Sequence, residues 1–103
     1  MPYFVSNLSG GRWETLAQSN ATGVVANKNI FDYDEIMLIL YSTTSYEQIY
    51  GTEIIPCIPS VTKSYMFLTT SYGECGIIDV TSSSFKMHIS NGRAMVVLGR
   101  KYQ

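Results

Sequence analysis

Apolar and polar residues alternate along much of the chain in the manner of β-strands. From Phe85 to Ser90 every second residue is apolar, which is typical of a strand that buries one face. Other apolar or β-branched runs are short and end at Gly, Asn, Asp, Ser or Pro, residues that favour turns. The predicted strands cover residues 3–5, 12–17, 23–26, 35–41, 53–58, 64–70, 76–80, 84–90 and 94–99. Eight or nine short strands at this spacing predict an all-β, jelly-roll-like antiparallel β-sandwich in a single domain over residues 1–103.

Turn residues add detail to two connections. Asn91 and Gly92 separate the last two predicted strands, and both tolerate positive φ, so the pair predicts a hairpin closed by a type I′ turn. Pro56 and Pro59 lack the amide hydrogen that an interior strand must donate. The stretch that contains them is therefore expected at a sheet edge or in a bulge.

Three runs are apolar at consecutive positions and not only at alternate ones: residues 36–41, 65–68 and 94–98. In a sandwich the outward side of each strand should be polar. A domain of this size has one core, so the second apolar faces need another cover. We expect a homo-oligomer in which copies of the chain cover one another. The alternative is that long loops fold back over the sheet.

Composition argues against two classes of partner. Charged residues make up only 15% of the chain, against about 25% in an average domain. The formal net charge is -1 and there is no run of Lys or Arg, so neither nucleic acid nor an anionic membrane surface is an expected partner. The longest apolar stretch, from Ile36 to Tyr41, is far shorter than the roughly 20 residues of a membrane span.

The first residues lack the basic start and apolar core of a secretory signal, so synthesis in a cytoplasm is expected. In a reducing compartment Cys57 and Cys75 should be free thiols. A structural zinc site needs about four ligands, and the two cysteines and one histidine of the chain fall short. No cofactor is expected.

The residues available for catalysis form no recognisable set. His88 lies on the polar side of its predicted strand, and a catalytic base needs both a nucleophile and an orienting partner. Cys57, Cys75, Glu74 and Asp79 are the only helpers that a Cys-His-Asp arrangement could recruit. The chain also contains no nucleotide-binding, zinc-protease or serine-hydrolase motif. We therefore predict a protein that is not an enzyme, with His88 facing solvent or an interface.

An acidic cluster precedes the apolar run at 36–41. Asp32, Asp34 and Glu35 could supply oxygen ligands for calcium. The cluster lacks the glycine and the later carboxylate of an EF-hand loop. A turn in which Asp32 or Asp34 caps backbone amides is the favoured interpretation.

Tyrosines are the most suggestive candidates for binding. Tyrosine joins a flat apolar face to a hydroxyl at low conformational cost, which suits adhesive loops and stacking on sugar rings. Three tyrosines fall in predicted loops, two of them in the segment 41–52, beside Gln48 and Glu74. The alternative is that they simply pack at strand ends. The predicted ligand-binding residues are Tyr46, Gln48, Tyr50, Tyr72 and Glu74.

The chain also resembles a known class of modules. The stretch WETL with Trp13, the strand YDEIMLIL after an Asn- and Asp-rich approach, and the ending LGRKYQ resemble small all-β head modules at the C-terminal ends of bacteriophage tail fibre and baseplate proteins. The likeness runs over residues 13 to 102 and rests on residue type and order. It implies a homotrimeric sandwich head in the virion tail, made in the bacterial host cytoplasm. Such a head would contact other tail proteins and bind a host-surface carbohydrate or protein.

Two other interpretations stay open. The chain could be a structural or decoration protein of a phage virion, whose apolar faces meet other viral chains. A small enzyme that relies on a thiol or on acid–base chemistry is the third. In the structural or decoration protein, the loop tyrosines would be dispensable for ligand binding.

Overall fold

Two four-stranded antiparallel sheets form the protein. The computed structural model describes residues 12–58, 63–66 and 74–102. The first sheet has the order β1-β8-β3-β4 and the second the order β2-β7-β6-β5. The strands are β1 Glu14–Ser19, β2 Val25–Ala26, β3 Glu35–Tyr41, β4 Ile49–Pro56, β5 Tyr65–Met66, β6 Gly76–Ile78, β7 Phe85–His88 and β8 Ala94–Arg100. The predicted all-β antiparallel sandwich is confirmed.

The helical content of the described residues is a single 3₁₀ turn, Ile30–Asp32. It begins at Asn29, whose side-chain oxygen accepts a hydrogen bond from the Phe31 amide at 3.0 Å, as an N-cap residue does. Within the described ranges no helix could cross a membrane.

The core lies between the two sheets and is built by alternation. On β3, Ile36, Leu38 and Leu40 point inward and are buried. On β7, Phe85 and Met87 do the same, while the neighbouring Lys86 and His88 are half-exposed, as the alternating pattern predicts. Each fully buried side chain of this size stabilises the fold by about 1.5–3 kcal/mol.

The predicted hairpin at Asn91 and Gly92 is wrong. The strands on either side, β7 and β8, belong to different sheets, so the connection crosses from one layer to the other. The Arg93 amide donates to the Ser90 carbonyl at 3.2 Å, and Gly92 has a φ of +81° while Asn91 keeps a negative φ. This is not the type I′ geometry, which needs positive φ at both central residues. Both edges of β8 are already occupied, by β1 and β3.

The predicted sheet edge at Pro56 is confirmed, because β4 is the last strand of its sheet. The Cys57 amide donates to the Asp34 carbonyl at 2.9 Å. Hydrogen-bonded pairs recur at every second residue of an antiparallel ladder, so Pro56 directs its nitrogen away from β3. Pro59 lies outside the described residues, as does the predicted strand 3–5.

The side of the first sheet that faces away from the core is apolar. Pairing across β3, β8 and β4 aligns Met37 with Leu98 and Ile54, and Ile39 with Val96. Val96 is buried, Met37, Ile39 and Leu98 are half-buried, and Ile54 is 53% exposed. We call this surface the outer face; it comprises Met37, Ile39, Tyr41, Ile54, Val96 and Leu98. The expected cover by another copy of the chain stays a prediction.

Candidate functional site

Several connections gather at one end of the sandwich. The last residue of β1, Ser19, lies opposite Met95 near the start of β8, and the last residue of β3, Tyr41, lies opposite Ala94. In the second sheet Gly76 at the start of β6 lies opposite the last residue of β7. The segments 20–24, 42–48, 74–75 and 89–93 therefore meet at this end, which we call the loop end.

Hydrogen bonds join these segments to one another. Asn20 Nδ2 donates to the Thr44 carbonyl at 3.3 Å, and Arg93 Nη1 donates to the Ser42 carbonyl at 2.7 Å. The Ile89 amide donates to Thr22 Oγ1 at 3.1 Å. Because side chains of one segment hold the backbone of the next, the loop end has a defined shape.

A groove of about 320 Å³ lies between the segments 20–22 and 89–92. Its polar lining comes from Asn20, Thr22, Ser90 and Asn91, and the rest from Ala21, Ile89 and Gly92. The lining contains hydroxyl and amide groups, which both donate and accept hydrogen bonds, and no charged side chain among the described residues. Its volume falls at the low end of the roughly 300–1,000 Å³ of small-molecule sites.

Tyr46 lies in a loop, as predicted, and the structure places this β3–β4 loop at the loop end. It has a φ of +60°, which is uncommon for a residue with a side chain. Its ring meets the Tyr41 ring edge-on, with centroids 5.3 Å apart and planes at 74°. The ring is half-buried, so part of its surface is occupied by this contact.

Gln48 closes the same loop. Its carbonyl accepts from the Ser42 amide at 3.0 Å and its side-chain oxygen lies 3.2 Å from Ser42 Oγ. The prediction that Tyr50 lies in a loop is wrong, because β4 begins at Ile49 and includes it. Strand pairing extends to Ile49, opposite Tyr41, through a register shift after Leu40. Backbone pairing with β3 outweighs the polar, turn-like composition of this stretch.

Of the remaining predicted residues, Tyr72 lies outside the described residues. Glu74 precedes β6 at the loop end, where Glu74 Oε1 is 3.9 Å from His88 Nε2. The His88 side chain is 39% exposed and that of Glu74 is 77% exposed. The structure thus brings Tyr46, Gln48 and Glu74 to one end of the sandwich, and leaves Tyr50 on the edge strand.

The two thiols are placed poorly for nucleophilic chemistry. Both cysteines, Cys57 and Cys75, are free. Burial, with the nearby Asp34 and Glu35 carboxylates, raises the pKa of the Cys57 thiol to about 11, so it is protonated at neutral pH and a weak nucleophile. Cys75 is fully buried, with Sγ 3.2 Å from Ser90 Oγ.

The acidic cluster at 32–35 serves structural contacts. Asp34 accepts a hydrogen bond from the Tyr102 amide, which is a long-range contact between distant segments and differs from the local turn cap that the sequence predicted. Glu35 is paired with Arg100. Within the described ranges no three His, Cys, Asp or Glu residues are grouped to hold a metal ion.

The groove residues Asn20, Thr22 and Ser90 were not identified from sequence, and Asn91 only as a turn residue. Their one local signal is that polar residues follow predicted strands. Nothing in the sequence alone indicates that the loops after β1 and after β7 lie side by side. That proximity depends on which strands share a sheet.

Comparison of the chain with protein-family models, with curated proteins and with solved structures finds no match. The resemblance to phage tail modules therefore stays a prediction from the residues that carry it.

Proposed function

We propose that the chain is a non-enzymatic receptor-binding module of the bacteriophage tail type, and that it binds a host-surface carbohydrate in the groove at the loop end. The observation that carries this proposal is the uncharged polar lining of that groove. Sugar hydroxyls both donate and accept hydrogen bonds, and amide and hydroxyl side chains can pair with them in both ways. Four such side chains converge here: Asn20, Thr22, Ser90 and Asn91.

The position of the groove supports the same function. It lies where several loops gather on a rigid pair of sheets, which is the usual arrangement of binding residues in β-sandwiches. The Tyr46 ring lies in the loop that Asn20 holds through Thr44. Affinity for one site is expected between millimolar and micromolar, about -4 to -8 kcal/mol. Several copies acting together would raise the effective affinity.

Binding can be tested with a glycan array and the Asn20→Ala/Asn91→Ala double variant. Each lost hydrogen bond weakens binding by about 0.5–1.5 kcal/mol, so the double variant is expected to bind at least about fivefold more weakly. Asn27→Ala is the matched control, since Asn27 is exposed just beyond β2 at the opposite end. Absence of any bound glycan, or equal binding by the double variant and the control, would contradict the proposal.

The proposed module assembles as a homo-oligomer, a trimer if the phage resemblance holds, with the outer face covered by neighbouring copies. A sheet of four strands of about seven residues measures roughly 19 by 24 Å, which is a flat area of roughly 450 Å² before the relief of the side chains adds to its accessible surface. A standard interface buries about 800 Å² per partner. The outer face, together with the exposed Ile49 beside it, supplies a large part of that area in apolar form.

The oligomer should dissociate when the outer face is charged. Light scattering of the natural chain is expected to give a mass that is a multiple of 11.5 kDa. The Ile39→Lys variant is expected to have the mass of one subunit, because a buried unpaired charge opposes association. Val25→Lys changes an apolar residue that is 52% exposed in the other sheet and should leave the mass unchanged. A natural chain that is already monomeric would refute this assembly.

A second candidate function rests on the same outer face. An apolar sheet surface of this kind also fits a structural or decoration protein that docks on other virion chains. In that case the Asn20→Ala/Asn91→Ala variant would assemble into particles and support attachment like the natural chain.

A further inference from the structure

The free edge of β4 presents backbone groups that pair with no other described residue. Because Cys57 bonds to Asp34 and bonded pairs recur at every second position, the amide and carbonyl groups of Glu53 and Ile55 face β3. Those of Thr52 and Ile54 face away from the sheet. Pro56, which has no amide hydrogen, ends this row. We call Thr52, Ile54 and Pro56 the β4 edge.

A groove lies directly beside this edge, between β4 of the first sheet and β5 of the second. Its volume is about 350 Å³. Ile55, Ile58, Tyr65 and Met66 make most of its wall apolar, and Glu53 and Ser64 add polar groups. We call it the side groove. It adjoins the last half of β4, away from the loop end, where β4 begins.

Glu53 gives the side groove its charge. It lies opposite Leu38 on the core-facing side of β4 and is half-buried. Its carboxylate makes no ion pair within the described part of the chain. A carboxylate beside an apolar wall favours a ligand that has an aliphatic stem and a cationic end, such as a Lys or Arg side chain.

We propose that the β4 edge binds an extended segment of a partner polypeptide as an added antiparallel strand, with a Lys or Arg side chain beside Glu53 and an aliphatic side chain beside Ile55. Partner residues opposite Thr52 and Ile54 form the backbone bonds. Residues directly opposite each other point to the same face, so partner residues opposite Glu53 and Ile55 project into the side groove. Main-chain bonds supply affinity and the pocket supplies selectivity, as in other cases of strand addition.

A second copy of this chain is a poor occupant of the same edge. The sequence of β4, IYGTEIIP, contains no basic residue, so a second β4 offers no cation to Glu53. A two-fold pairing centred on Glu53 would also place two carboxylates opposite each other, which is destabilising. Charge complementarity therefore selects a basic partner segment.

The probe is the peptide acetyl-Ser-Leu-Thr-Lys-Thr-Ser-amide. Its binding is measured through changes in the backbone NMR chemical shifts of the full chain. Antiparallel pairing places Leu opposite Ile55, Lys opposite Glu53 and the two Thr opposite Ile54 and Thr52. Shifts should concentrate on β4 and on the side groove. N-methylation of the two Thr removes both edge-facing donors and should weaken binding at least about fivefold. N-methylation of Leu and Lys, whose amides face solvent, should leave the affinity within about twofold.

Variants of the chain give the complementary test. Ile54→Pro removes an edge donor without breaking a bond to β3 and should lose the peptide, whereas Ile54→Ala keeps the donor and should bind it. Glu53→Gln should bind the Lys peptide at least about fivefold more weakly, since a charge-assisted bond is lost, and bind a norleucine analogue unchanged. The peptide should bind the Asn20→Ala/Asn91→Ala variant normally, so this site and the loop-end proposal fail independently.

Two results would overturn the inference. One is the absence of β4 shifts at millimolar concentrations of the probe. The other is equal affinity for the two N-methylated peptides, which would show side-chain contact without strand addition. The N-methylated pair needs no change in the protein, so the test stands even if Ile54→Pro fails to fold.

Discussion

Substitution of Gly76 with alanine is expected to lower the free energy of unfolding by about 3 kcal/mol, at the upper end of the usual cost of overpacking. A Cβ at this position would lie 2.3 Å from the Tyr65 carbonyl oxygen and 2.7 Å from the Met66 Cα. Both are backbone atoms of the neighbouring strand β5, which cannot move away as a flexible side chain would. The substitution should therefore weaken the β5–β6 pairing and the wall of the side groove.

Urea unfolding measures this effect, and Gly51→Ala is its matched control. Gly51 also lies in a strand, but a Cβ there has no atom within 4 Å. Alanine should leave stability unchanged or raise it by up to about 1 kcal/mol, because it restricts the unfolded chain. Equal midpoints for the two variants would mean that β5 does not approach Gly76 as closely as described.

Replacement of Arg100 by leucine is the second large effect, with an expected loss of about 3 kcal/mol. The Arg100 guanidinium donates twice to Glu35 Oε1, from Nε at 2.9 Å and from Nη2. It also lies 4.4 Å from the centre of the Trp13 ring. Glu35 is only 8% exposed, so the leucine variant leaves its carboxylate buried with the Tyr102 hydroxyl, at 2.8 Å, as its remaining hydrogen-bond donor.

A double-mutant cycle separates this cost from lost packing. Adding Glu35→Gln to the Arg100→Leu variant should recover part of the stability, because a neutral amide is less costly to bury than an unpaired carboxylate. Lys86→Leu is the comparison, because it removes an exposed ion pair. Lys86 Nζ lies 3.5 Å from Asp79 Oδ2, and the Lys86 and Asp79 side chains are 40% and 69% exposed. Exposed pairs contribute about 0–1 kcal/mol. A loss at Arg100 no larger than that at Lys86 would refute the argument.

Local patterns in the sequence predicted the strands well where one face is buried. The alternation at β7 identifies a strand because the pleat places successive side chains on opposite faces, and the consecutive apolar residues of β3 indicate a strand with both faces shielded from water. Pro56 identified a sheet edge for an equally local reason, since its missing amide hydrogen excludes an interior ladder. These inferences need no knowledge of which strands are neighbours.

Predictions that depended on which strands are neighbours in a sheet were less accurate. Asn91 and Gly92 suggested a hairpin, yet β8 pairs with β1 and β3. Turn residues report that the chain reverses, and they do not report whether it returns to the same sheet. Tyr50 suggested a loop because of its polar surroundings, but pairing with β3 continues to Ile49. Strand pairing decided both outcomes, with strands far away in the sequence for β8 and across one short loop for β4.

The candidate site shows the same division. The sequence singled out Tyr46, Gln48 and Glu74 by residue type, and the fold brings them to one end of the sandwich. The groove itself, between Asn20 and Asn91, and the β4 edge with the side groove are products of sheet order. The sequence by itself determined that the chain forms half-buried strands and where they turn. The reason is that a strand's two-residue alternation of apolar and polar side chains is visible in neighbouring residues of the sequence. Only the tertiary structure decided which loops and edges become binding surfaces, because hydrogen bonds between strands far apart in the chain place those groups side by side.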